Sequence, residues 1–141
     1  MRYKTILLLV LALNLSFLPA CFAGEYGVRL DTGPYNDPPA PRLRYPINET
    51  AVITGDEPLE FRWWDTQNGI RAYTIKIYKG YNMYASGLIY KKELPSYASS
   101  LKVSQDLFED GQVYTWSLLC VSLAGFRSER SFNSFKVIKE G

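Results

Sequence analysis

The feature that most limits what this chain can fold into is a set of short runs with apolar residues at every second position. Leu59-Glu60-Phe61-Arg62-Trp63 alternates apolar and polar side chains, and Tyr73-Thr74-Ile75-Lys76-Ile77 does the same. A third run, Tyr114-Thr115-Trp116-Ser117-Leu118-Leu119-Cys120, keeps its larger side chains on the even positions. Successive side chains of a strand point to opposite faces, so this period describes sheets with one face turned to a core. Shorter candidate strands lie at 43–45, 51–53, 88–91, 101–103 and 132–137. Turn signals separate them: Gly55-Asp56, Asn68-Gly69, Gly80, Ser86-Gly87, Asp110-Gly111 and Gly125. No stretch keeps a helical repeat of apolar residues over three turns. Seven or so short strands at this spacing predict an all-β, antiparallel sandwich.

Residues 1–23 stand apart from that pattern and read as a secretory signal. Arg2 and Lys4 make a basic start, an apolar run covers 6–18, and Pro19 leads into Ala20-Cys21-Phe22-Ala23, with small residues placed for a cut after Ala23. The run is shorter than the roughly 20 residues a spanning helix needs. No later run reaches that length, so no transmembrane helix is expected in the mature chain. Leu18-Pro19-Ala20-Cys21 also resembles the lipobox of bacterial lipoproteins, although Pro19 occupies a position that normally carries a small or β-branched residue. The sequence predicts cleavage after Ala23, with lipidation of Cys21 and membrane anchoring as the alternative. Either one predicts an exported protein, periplasmic or extracellular.

Residues 24–41 hold four prolines and three glycines, a composition that suits an extended arm or linker. Residues 42–141 then form the one expected domain. Cys120 is the single cysteine left after cleavage, so no internal disulfide is available and the fold must hold through its core.

Charge and composition exclude several functions. Arg2 and Lys4 account for the excess of 16 basic over 14 acidic residues, so the mature chain is formally neutral. A neutral chain lacks the basic footprint of a nucleic-acid binder. Histidine is absent, which removes Ser-His and Cys-His nucleophile pairs, histidine metal clusters and the commonest general base. Asp56-Glu57 and Glu109-Asp110 are the paired carboxylates, and both fall at turn signals, where solvated acids are the simpler reading. No catalytic residue, cofactor or metal site is expected. Asn48-Glu49-Thr50 matches a glycosylation sequon; in a bacterial protein the match is incidental.

Taken in order, the runs resemble a fibronectin type III domain of the divergent sort found in bacterial envelope and exported proteins. Pro46 leads a turn and a short strand into Phe61-Arg62-Trp63, and Tyr73, Ile75 and Ile77 match the family's next strand. Leu107, Gly111, Tyr114, Trp116, Leu118 and Cys120 match its Tyr-x-Trp strand in order and spacing, and Phe135-Lys136-Val137 its closing strand. The resemblance covers about 41–139 and implies a core of Phe61, Trp63, Tyr73, Ile75, Ile77, Leu107, Tyr114, Trp116, Leu118 and Cys120. It implies that Trp63 and Trp116 fill opposite inner faces. It also implies a tyrosine corner at Tyr114, with the hydroxyl bonded to nearby backbone. The stretch 78–99 is long and tyrosine-rich for the family, and no Arg-Gly-Asp tripeptide is present.

What is left for function is a surface. Alternation places Trp64 away from the core if Trp63 is in it, and Tyr78 outward if Ile77 is inward. Gly80 and Ser86-Gly87 cut the tyrosine-rich stretch into a strand end, a loop with Tyr81 and Tyr84, and a strand with Tyr90. The expected contact residues are therefore Trp64, Tyr81 and Tyr84, with Trp64 a candidate neighbour of the loop tyrosines. The leading hypothesis is a non-catalytic interaction or spacer module that binds other envelope or secreted proteins. A carbohydrate-binding module using surface tryptophan and tyrosine is the alternative.

Overall fold

The computed structural model describes residues 37–65 and 68–141. The signal assigned to 1–23, Cys21 within it, and the arm up to residue 36 lie outside the described residues. Eight strands follow in order: β1 (Leu43–Tyr45), β2 (Thr50–Thr54), β3 (Leu59–Trp63), β4 (Ile70–Lys79), β5 (Leu88–Pro95), β6 (Ser100–Val103), β7 (Val113–Ser122) and β8 (Ser131–Glu140). They form a three-stranded sheet, β1-β3-β6, and a five-stranded sheet, β2-β8-β7-β4-β5. Pairing is antiparallel except between β2 and β8, which run parallel.

Register explains why the alternating runs close a core. Across β4 and β7, Tyr73 opposes Cys120, Ile75 opposes Leu118 and Ile77 opposes Trp116. Across β3 and β6, Leu59 opposes Val103 and Phe61 opposes Leu101. All ten of these residues are buried. Phe61 brings the ring of the smaller sheet within 5.1 Å of Trp116 and 5.7 Å of Phe135 on the larger one, both edge-on. Such pairs contribute about 0.5–1.5 kcal/mol beyond their burial. Trp63 packs on Tyr73 and donates its indole N–H to the Ala98 carbonyl at 3.0 Å. Trp116 donates to the Pro46 carbonyl at 2.8 Å. Each tryptophan thus buries its rings without leaving its one polar atom unpaired.

The corner before β7 is built on Tyr114. Its ring is 1% exposed, and its hydroxyl accepts the Glu109 backbone N–H at 2.8 Å. Gly111 makes the turn with φ 73°, a value that a β-carbon disfavours. Leu107 does not reach the core position implied by the resemblance. It is half-buried in the 3₁₀ turn Gln105–Leu107, and Phe108 takes the core place at 2% exposure, edge-on to Tyr114 at 5.1 Å. The turn rotates the chain by one residue between β6 and β7, and spacing alone does not reveal that shift.

Two further expectations change. The last residues of the arm belong with the sandwich: Pro41 is buried, its carbonyl accepts from Ser131 Oγ, and the Pro39 carbonyl accepts from Cys120 Sγ at 3.5 Å. Cys120 is buried, and its backbone N–H donates to Ser128 Oγ at 2.9 Å. Tyr78 is not exposed, at 3%. Its alternation with Ile77 holds along β7, where it opposes Thr115, but the pairing with β5 slips. Ile77 opposes Tyr90 and Tyr78 opposes Leu88, leaving Ile89 as an extra residue. The 80–87 connection then returns tightly, since a β-carbon on Gly87 would stand 3.2 Å from the Lys79 carbonyl oxygen. The outer face of the sheet is covered at this end.

Candidate interaction surfaces

Strand β4 separates the expected contact residues. Trp64 follows β3 shortly before β4 begins, whereas Tyr81 and Tyr84 follow the end of β4. Ten strand residues at about 3.3 Å each put the two groups roughly 30 Å apart, at opposite ends of the sandwich. No shared aromatic platform forms. Alternation within one strand sets the face a side chain takes, not the end of the sandwich it occupies.

At one end, Trp64 is 49% exposed, but the Arg44 guanidinium lies 4.7 Å from its ring centre. With Leu43 opposite Trp63, alternation puts Arg44 and Trp64 on the same face of the sheet. One face of the indole is thus held by a cation–π contact. Arg62 stacks likewise on Tyr45 at 5.2 Å. The Tyr45 phenol is pushed above its ordinary pKa mainly by burial, with Glu49 adding to the rise and Arg62 opposing it.

At the other end, Tyr81 is 74% exposed and lines a cleft of about 360 Å³ with Asn48, Glu49, Thr50, Ser134 and Lys136. Gly80, at φ 89°, turns the chain there, and its carbonyl accepts from Thr115 Oγ at 2.7 Å. Thr115 and Ser134 share a hydroxyl contact at 2.7 Å, which ties the base of the cleft to the outer face of β7. Tyr84, 70% exposed, stands on the same loop outside the cleft lining. Tyr97, 85% exposed between β5 and β6, is a further surface aromatic outside the expected contact set. Its turn, Pro95 to Ala98, offered no motif to mark it.

One pair of turn acids has structural partners. Glu109 holds the Lys79 ammonium at 2.9 and 3.0 Å, and Asp110 accepts the Lys139 backbone N–H at 2.8 Å. Asp56 and Glu57 lie exposed in the turn between β2 and β3. Among the described residues no three His, Cys, Asp or Glu side chains group as metal ligands, and no helix is long and apolar enough to cross a membrane.

Two sheets, the strand order and the Tyr114 corner define an immunoglobulin-like sandwich of the fibronectin type III kind. Comparison with solved structures places the same fold on three backgrounds. A computationally redesigned β-sandwich protein superposes with TM-score 0.51 at 11% identity, over 74% of this chain and 97% of that one. The chicken CNTN1 FN1-FN3 domains give 0.50 at 14%, over 75% of this chain and 33% of that one. The Clostridium perfringens spore cortex lytic enzyme SleM gives 0.50 at 17%, over 70% of this chain and 28% of that one. The chain therefore spans about a third or less of the latter two. No family model matches the chain, and no curated protein matches it.

Proposed function

We propose that this chain is an exported, non-catalytic interaction or spacer module, of the divergent bacterial envelope type, that binds other envelope or secreted proteins. Domains of this fold are typically non-catalytic, and a fold of this kind suits holding or joining other molecules. The observation that carries the reading is the split of exposed side chains. Tyr81, Tyr84 and Tyr97 stand on loops at 70% exposure or more, while Glu109 and Asp110 are taken up by the Lys79 ammonium and the Lys139 backbone N–H, and Asp56 and Glu57 are left in solvent. Export rests on the basic, apolar and small-residue plan of 1–23, with cleavage after Ala23 and lipidation of Cys21 as the competing route. Mass spectrometry of the mature N-terminus distinguishes them: an acylated Cys21 overturns cleavage after Ala23, and an intact Met1 overturns export. An affinity capture from envelope extract, repeated with Tyr81→Ala and Tyr97→Ala, tests the interaction. Capture of the same partner by wild type but not by a folded variant supports an interaction module. No specific capture leaves a spacer.

A second reading has one observation in its favour. The Tyr81 cleft combines an exposed ring with an amide, a carboxylate, two hydroxyls and an ammonium, the groups that recognise a sugar. Titration calorimetry with cell-wall polysaccharide tests it. Heat that disappears in Tyr81→Ala supports carbohydrate binding, and no heat with the wild type rejects it.

A further inference from the structure

The outer face of the five-stranded sheet carries a charge distribution that the sandwich itself does not require. A groove of about 280 Å³ runs over Leu119 and Val121, the half-buried outward residues of β7. At one end Lys76 and Lys91 stand directly opposite each other across β4 and β5. Like charges so placed weaken strand pairing. Arg71 joins them from farther along β4, because the β4–β7 register slips between Ile70 and Ala72. Without that bulge its position would share the core face of Tyr73 and Ile75. Arg127, bridged to Val121, closes the other side.

The groups act on one another. Burial first, then Lys91, Arg130 and Arg127, hold the Lys76 ammonium below its ordinary pKa. Glu93 is the one carboxylate in the groove lining. Among the described residues the ion pair found is Lys79–Glu109, and it involves none of the four groove cations. A chain with a formal net charge of +2 has thus gathered four cations, Arg71, Lys76, Lys91 and Arg127, around two aliphatic side chains.

Charge complementarity calls for an anionic partner, and the floor narrows its class. No aromatic ring lines the groove for a sugar or base to stack on. An aliphatic floor between cationic rims fits an extended peptide, in which carboxylates and aliphatic side chains alternate. Two of the four cations, Arg71 and Arg127, are arginines, whose planar forks take carboxylates in paired hydrogen bonds. We propose that this groove docks an acidic segment of a partner protein, laid extended across β7, β4 and β5. Its aliphatic side chains rest on Leu119 and Val121, and its carboxylates reach the surrounding cations. The proposal rests on the interaction-module reading and gives the partner a chemistry.

Fluorescence anisotropy of a labelled acidic peptide with Glu and Leu at alternate positions, titrated with the full chain, tests it. Saturable binding that weakens with added salt is expected. A doubly reversed variant, Arg71→Glu with Arg127→Glu, should weaken it at least about tenfold. A control reversed elsewhere, Arg42→Glu with Lys102→Glu, should change it little, with circular dichroism verifying both folds. Replacing the peptide leucines by serine should also weaken binding. Absence of binding to the wild type, or equal loss in the control, overturns the proposal. So does equal binding of the serine peptide together with heparin binding of the same Arg71 and Arg127 dependence, which marks a general polyanion surface. If the doubly reversed variant still captures the wild-type partner from extract, the groove assignment fails while the interaction module stands.

Discussion

Strand β7 has two faces, and both are buried at its centre by different means. On the inner face Tyr114, Trp116, Leu118 and Cys120 are closed by the opposite sheet and its rings. On the outer face Thr115 and Ser117 are buried too, at 1% and 2%, with no second sheet over them. They are small residues in a valley. Thr115 lies between Tyr78 and Ser134, and Ser117 between Lys76 and Phe132. The inner face is held by apolar packing, and the outer one by hydroxyl bonds and the stems of longer neighbours. Removing a side chain should therefore cost several times more inside than outside.

The largest test is on the inner face. Trp116→Ala and Trp63→Ala each remove a buried indole and should cost about 3–5 kcal/mol in urea unfolding, enough to threaten a domain without a disulfide. Unchanged stability in both would break the account of the core. Ser128→Ala is the next step down. It leaves the Cys120 backbone N–H without the hydroxyl that now accepts from it, in a buried site, and should cost about 1–3 kcal/mol. Thr115→Val probes the outer valley with nearly unchanged shape. It removes the hydroxyl that joins Gly80 and Ser134, for an expected loss of about 1 kcal/mol. A loss as large as that of Trp116→Ala would show that the outer face is a second core.

The same contrast marks how much was legible in the sequence. The inner face was readable because apolar alternation along β3, β4 and β7 records burial directly: Phe61, Trp63, Tyr73, Ile75, Ile77, Tyr114, Trp116, Leu118 and Cys120 all lie inside. The outer face was not, because its burial depends on pairing partners that are distant in sequence. Tyr78 has outward parity, yet the β4–β5 slip and the returning 80–87 loop cover it. Arg71 has inward parity, yet a bulge sends it out to the groove. A one-residue irregularity reverses the meaning of alternation, and no residue type announces it. Trp64 and Tyr81 failed as neighbours for a related reason: strand length sets their separation, and the strand between them proved to be ten residues long.

The smallest test uses the charge on the outer face. Lys76 has a folded-state pKa below its ordinary value, through burial and then the cations around it. The folded chain therefore gives up that proton before the unfolded chain does, and stability rises as pH climbs through the window between the two pKa values. The penalty is fully present below the folded value and gone above the unfolded one. Lys79 has the opposite sign. Its hydrogen bond to Glu109 raises its pKa against the opposing effect of desolvation, so its contribution is present below the unfolded value and lost as pH climbs through the folded one. Lys76→Gln should flatten the rise in urea midpoint between neutral pH and about 10, the ordinary tyrosine range above which Tyr45 also titrates. The gain at neutral pH should stay under about 0.5 kcal/mol, and added salt should shrink it. If Lys76→Gln leaves the pH profile of the wild type unchanged, neither burial nor the neighbouring cations act on the Lys76 ammonium in the folded chain.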